Sequence, residues 1–154
     1  MQIQSVLCVC TGNICRSPLA EGWLRREMPF LQVSSAGIGA VQGGEMPQAA
    51  ADIAAREGLD LAEHRGRQVS RQILQAHELV LVMEAGQRDW LASNFPEVRG
   101  RTFMSSHWLG GDDIQDPYRL NAEVFEQVYK EIVEALTQWQ KRLTPSKDKN
   151  YGTK

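Results

Sequence analysis

A cysteine and an arginine stand six positions apart in CTGNICRS, residues 10–17, with Gly12 and Asn13 between them and Ser17-Pro18 directly after. A thiolate is a strong nucleophile, and a guanidinium forks onto two oxygens of one oxyanion. A loop between a strand and a helix N-terminus turns several backbone N–H groups inward, and the helix dipole behind them completes an anion site. Thr11, Gly12, Asn13, Ile14 and Cys15 would form that cradle, Arg16 would close it, and Cys10 would sit beneath the phosphorus of a bound phosphate. Gly12 is expected to relax the backbone and Asn13 to accept a left-handed turn. The same amides and arginine that hold a dianion favour a thiolate, and Ser17 can add a hydrogen bond to sulfur or phosphate. The magnesium-dependent phosphate loop GxxxxGK[ST] needs a lysine that this stretch lacks. Alone, Cys10 also suits a small buried residue at a strand end.

Such a loop needs a strand before it and a helix after it. IQSVLCV, residues 3–9, is a short apolar run suited to a buried parallel strand. Ser17 as N-cap and Pro18 in the first turn open a helix to about Met28, with Leu19, Trp23 and Leu24 on its apolar face. LQVSSA (31–36) reads as a second strand, ELVLVM (78–83) as a third and RTFM (101–104) as the last. Between them an alanine-rich helix ends at Gly58, a short helix runs from Ser70 to about Gln75, and another runs from Ala85 to Phe95 before Pro96. From Asn121, the residues Val124, Val128, Ile132, Leu136, Trp139 and Leu143 recur at steps of three or four and mark the longest amphipathic helix. Alternating β and α segments imply an α/β fold: one domain over 1–143, a four-stranded parallel sheet with helices on both faces, and the phosphate loop after the first strand. The tail, 144–154, is polar and aperiodic and is expected to be disordered.

The 154 residues, 42% apolar and 23% charged, suffice for one buried core. A net charge of −2 with both signs dispersed gives no pull toward nucleic acid or an anionic membrane. The start, MQIQSVLCVC, has no basic leader region and an apolar run too short for a membrane span, so a cytoplasmic protein without membrane insertion is expected. Three cysteines, all by residue 15, suit a reducing compartment better than a disulfide framework. Cys8 and Cys10 are read as pointing to opposite faces of the sheet, and His64, His77 and His107 are scattered, so no metal site and no cofactor is expected.

A proton donor is harder to place. Asp112, Asp113 and Asp116 crowd one loop, Asp-Pro commonly starts a turn, and residue chemistry alone leaves the choice open. The motifs taken together narrow it. VLCVCTGNICRSPLAEG, SSAG, GLDLAEHRGRQV, VLVME and DPY (116–118) resemble, in order and spacing, the low-molecular-weight protein tyrosine phosphatase family. The resemblance implies a metal-independent, two-step phosphoryl transfer. Cys10 would attack phosphorus, Asp116 would protonate the departing phenolate and then activate water, and Arg16 with the loop amides would hold the transition-state charge. It further implies that Tyr118 walls the substrate ring, that Asn13, Ser17, His64 and Ser35 support the loop, and that Cys15 forms a reversible disulfide with Cys10.

Relatives that act on phosphoarginine carry a threonine where Ile14 stands, so the resemblance favours phosphotyrosine. Many members have aromatic residues after SSAG and after DPY; GIGAVQGGEM and DPYRL instead put Val41, Gln42, Met46 and Arg119 at the expected rim. That pattern resembles bacterial members paired with tyrosine kinases that control capsule and exopolysaccharide export, which makes a cognate kinase the expected partner. An arsenate reductase on this fold needs relay cysteines downstream of the loop, and none follows Cys15. A non-catalytic phosphate-binding module would have no use for a proton donor at Asp116.

Overall fold

The computed structural model describes residues 2–144. Four parallel strands, β1 (Ser5–Cys10), β2 (Gln32–Gly37), β3 (Leu79–Val82) and β4 (Thr102–Met104), stand in the order β2-β1-β3-β4. Among the described residues five α-helices accompany them: α1 (Arg16–Glu27), α2 (Gln48–Glu57), α3 (Arg71–Gln75), α4 (Ala85–Asn94) and α5 (Ala122–Leu143). The expected α/β architecture is present, with boundaries shifted by a residue or two. Of the expected tail, Thr144 caps α5 and residues 145–154 lie outside the described residues.

Two apolar layers explain why the sheet is buried on both sides. Val6, Cys8 and Cys10 of β1 pack with Leu79 and Leu81 against α1, α2 and α5. Leu7, Val9, Val80 and Val82 face the other way, against Leu74 of α3, Leu91 of α4 and Val98. On α5, Val128, Ile132, Leu136, Trp139 and Leu143 are all buried, as their spacing requires. Burying each such side chain stabilises the fold by about 1.5–3 kcal/mol.

The division corrects the reading of the cysteines. Side chains alternate along a strand with period two, so Cys8 and Cys10 share a face rather than opposing each other. Cys8 is fully buried in that layer, while Cys10 ends the strand.

The sheet order also fixes where a ligand can enter. The chain leaves β1 to one side for β2 and later returns to its other side for β3, so the carboxyl end of β1 lies at a topological switch point. Cys10 is that end, in register with Gly37 of β2.

Candidate active site

The loop between β1 and α1 turns at Asn13, whose φ of 58° is left-handed. The expected left-handed residue is therefore Asn13, and Gly12 keeps a negative φ while its carbonyl accepts from Val41 N at 3.0 Å. A glycine beside the loop that tight packing demands is Gly37. A Cβ there would stand 2.3 Å from the Thr11 carbonyl oxygen.

Asn13 is completely buried, and its side-chain amide is satisfied on every side. Nδ2 donates to Ser17 Oγ at 2.8 Å and to Ser35 Oγ at 2.9 Å, while Oδ1 accepts from Arg67 N at 2.9 Å. His64 donates from Nε2 to the Asn13 carbonyl at 2.7 Å; a carbonyl only accepts, which sets the ring's tautomer. Ser35 passes its hydroxyl proton toward Glu21 Oε1 at 2.5 Å, and Arg25 pairs with the other oxygen of that buried carboxylate at 2.5 Å.

Of the two roles expected of Ser17, the contact with sulfur is present and the helix cap is not. The helix begins two residues earlier, with Cys15 at its N-cap and no side chain capping it. Ser17 Oγ instead lies 3.0 Å from Cys10 Sγ, and it already accepts from Asn13, so its own hydrogen is available to the sulfur. Asn13 N adds a backbone donor at 3.3 Å. A hydroxyl and a backbone amide thus converge on one sulfur.

Arg16 is 1% exposed, so its charge must be compensated. Nη1 binds Glu84 and the Ile114 carbonyl, the latter at 2.7 Å, and Nη2 lies 3.7 Å from Asp116 Oδ2. Among the described residues Nε finds no hydrogen-bond partner despite complete burial. The guanidinium is thus anchored through one nitrogen and leaves its Nε–Nη2 edge for a bidentate oxyanion.

Cys10, Thr11, Gly12, Ile14, Cys15, Arg16, Asp116 and Tyr118 line one cleft of ≈ 180 Å³, with Val41 and Gly39 completing its walls. Asn13, Ser17, Ser35 and His64 stand behind the loop. Of the residues expected at the rim, Val41 is present and Arg119 lies against Tyr118, its guanidinium 5.4 Å from the ring centroid. Gln42 and Met46 do not line the cleft. Gly43 N bonds the Gly66 carbonyl and Gly66 N bonds the Gly44 carbonyl, so the loop folds back and carries Met46 onto the core. Asp116 is the carboxylate of its loop that reaches the cleft; Asp113 accepts from Ala85 N at 2.8 Å instead. Among the described residues no group of three or more His, Cys, Asp or Glu side chains is placed to hold a metal ion.

Sequence reasoning missed Glu21, Glu84, Gln87 and Arg67. Glu21 had one visible signal, its spacing of four from Arg25 on a helix. The others act across 54 to 76 residues of chain, a separation at which sequence spacing says nothing.

The chain is similar to known proteins along most of its length. Residues 5–149 match the family model described as low molecular weight phosphotyrosine protein phosphatase. The chain is 39% identical to the low molecular weight protein-tyrosine-phosphatase Etp of Escherichia coli K12, over 94% of this chain and 97% of Etp. The crystal structure of the tyrosine phosphatase Wzb from Escherichia coli K30 with sulphate superposes with a TM-score of 0.88 at 38% identity, covering 93% of this chain and all of Wzb. The YwlE arginine phosphatase from Geobacillus stearothermophilus gives 0.78 at 31% identity, covering 93% and 99%.

Proposed function

This chain belongs to the low molecular weight phosphotyrosine protein phosphatase family, and from that premise we propose how its residues divide the reaction and on what they act. Cys10 Sγ attacks phosphorus in line, a sulfur–phosphorus bond forms, and the phosphorus–oxygen bond to the tyrosyl oxygen breaks. Asp116 gives its proton to that oxygen, because a phenol of pKa about 10 leaves more easily as the neutral alcohol. Asp116 then takes a proton from the water that attacks the cysteinyl-phosphate, releasing inorganic phosphate and restoring the thiolate. Arg16 and the loop amides bind the equatorial oxygens throughout and stabilise their charge in the transition state.

The observation that carries this reading is the meeting of Cys10, Arg16 and Asp116 in one cleft although Asp116 lies a hundred residues downstream of the loop. Ile14, which also lines the cleft and is 6% exposed, presents an apolar wall suited to an aryl ring and offers no hydroxyl to a phosphorylated guanidinium. The proposed substrate is therefore a phosphotyrosine protein, specifically the tyrosine-rich tail of a cognate bacterial kinase controlling capsule or exopolysaccharide production in the cytoplasm. No helix among the described residues is long and apolar enough to cross a membrane.

Turnover of p-nitrophenyl phosphate in EDTA tests the mechanism. The wild type should hydrolyse it without metal and Cys10→Ser should not; wild-type turnover by Cys10→Ser would refute the assignment. Phosphoarginine peptides should be poor substrates beside phosphotyrosine peptides.

A further inference from the structure

We infer that Arg119 selects the protein substrate, recognising an acidic side chain that flanks the phosphotyrosine. The inference rests on the phosphatase reading and adds a substrate feature to it. Tyr118 forms one wall of the cleft and is itself 45% exposed, so its outer edge faces whatever lies beside the bound phosphotyrosine. A space of ≈ 180 Å³ takes a phosphoryl group and part of a ring, which leaves the adjacent peptide residues outside, against that edge.

Arg119 is exposed and stands over the Tyr118 ring, next to the cleft wall. Its guanidinium lies 5.4 Å from the Tyr118 ring centroid, within cation–π range, so the side chain is already held against the wall. A planar group ordered before binding loses less freedom when it meets a carboxylate. The backbone points the same way. Arg119 has a φ of +67°, a conformation that glycine adopts freely and an arginine adopts at a cost, in a turn closed by Leu120 N to the Pro117 carbonyl at 2.8 Å.

Its charge is also uncommitted. Among the described residues no carboxylate pairs with Arg119, and the nearby Asp116 is engaged elsewhere, accepting from Tyr118 N through Oδ1 and facing Arg16 through Oδ2. An exposed, oriented and unpaired cation at the mouth of a phosphotyrosine cleft fits an anionic neighbour and disfavours a basic one.

Two phosphotyrosyl peptides, identical except for Glu or Lys on both sides of the phosphotyrosine, test this through kcat/KM in the wild type and affinity in a Cys10→Ser background. The wild type should prefer the Glu peptide by about two- to fivefold at low ionic strength, the effect of an exposed ion pair. Added salt should shrink the ratio. Arg119→Glu should reverse the preference, and Arg119→Gly should abolish it while melting no lower than the wild type, since glycine accepts the left-handed turn. Equal treatment of the two peptides by the wild type, or a preference that survives in Arg119→Gly, overturns the inference while p-nitrophenyl phosphate turnover keeps the phosphatase reading intact. Loss of that turnover in the wild type would bring down both.

Discussion

Gln87 Nε2 donates to Thr11 Oγ1 at 3.1 Å and so fastens the loop after β1 to the first turn of α4, 76 residues later in the chain. Its Oε1 accepts from the Met83 and Glu84 amides at 2.8 and 3.0 Å. One buried side chain thus organises the end of β3, the start of α4 and the edge of the cleft, and the turn it holds carries the carboxylate that pairs with Arg16.

Gln87→Leu should therefore lose stability as well as loop order. An unmet buried hydrogen-bonding group costs about 1–3 kcal/mol, so a loss of about 2–4 kcal/mol in urea unfolding is expected, with a higher KM for p-nitrophenyl phosphate. Gln87→Glu, which keeps the Oε1 acceptor, should lose less. A Gln87→Leu protein as stable as the wild type would contradict this account.

Gly37→Ala places a methyl group 2.3 Å from the Thr11 carbonyl oxygen, and that neighbour is backbone rather than a flexible side-chain end. The loop or the strand must shift, at a cost of about 1–3 kcal/mol, and both stability and kcat/KM should fall. Gly58→Ala is the contrasting control: its Cβ meets nothing within 4 Å, so strain at its φ of +69° should lower stability alone.

Asp116→Ala should lower kcat by about 10²–10⁴-fold for aryl phosphates with basic leaving groups and much less for acidic phenols. The slope of log kcat against leaving-group pKa should steepen in the variant. A uniform loss across the series would remove Asp116 as the acid.

Burial, with Cys10 and Asp116 adding to it, pushes the Cys15 thiol up to about 12, against the opposing pull of Arg16. Burial also raises the Cys8 thiol well above its ordinary value, with Glu21 and Cys10 adding to it. An unfolded thiol titrates near about 8.5, so above that pH the unfolded chain sheds protons that the native state keeps. The stability Cys15 contributes is complete below about pH 8.5 and falls as pH rises toward about 12, and Cys8 acts in the same direction. Urea midpoints between pH 8 and 10.5 should thus drop more steeply for the wild type than for Cys15→Ala. At neutral pH iodoacetamide should spare both buried thiols. Peroxide should inactivate the enzyme and dithiothreitol restore it if Cys15 resolves an oxidised Cys10, and unchanged behaviour of Cys15→Ser would remove that role.

Much of the fold was legible because its signals are local. Apolar runs of strand length, a three-or-four-residue period from Asn121 and the breaks at Gly58 and Pro96 depend on neighbours a few residues away, and each element appears where those signals lie. The errors were also local. Ser17-Pro18 looked like a helix start, but Ser17 Oγ is taken by Cys10 and Asn13, and a hydroxyl turned inward does not cap.

The sequence by itself determined which residue types the loop brings together, a sulfur, a guanidinium and an asparagine suited to a left-handed turn within seven residues, and through its resemblance it also singled out Asp116. Only the tertiary structure decided how the guanidinium is held. Glu84, the Ile114 carbonyl, Gln87 and Arg67 reach the loop through parallel strand pairing, which brings together the ends of segments far apart in the chain. The physical reason is burial. A charge and an amide withdrawn from water must find partners wherever the fold supplies them, and that supply depends on packing geometry rather than on order along the chain.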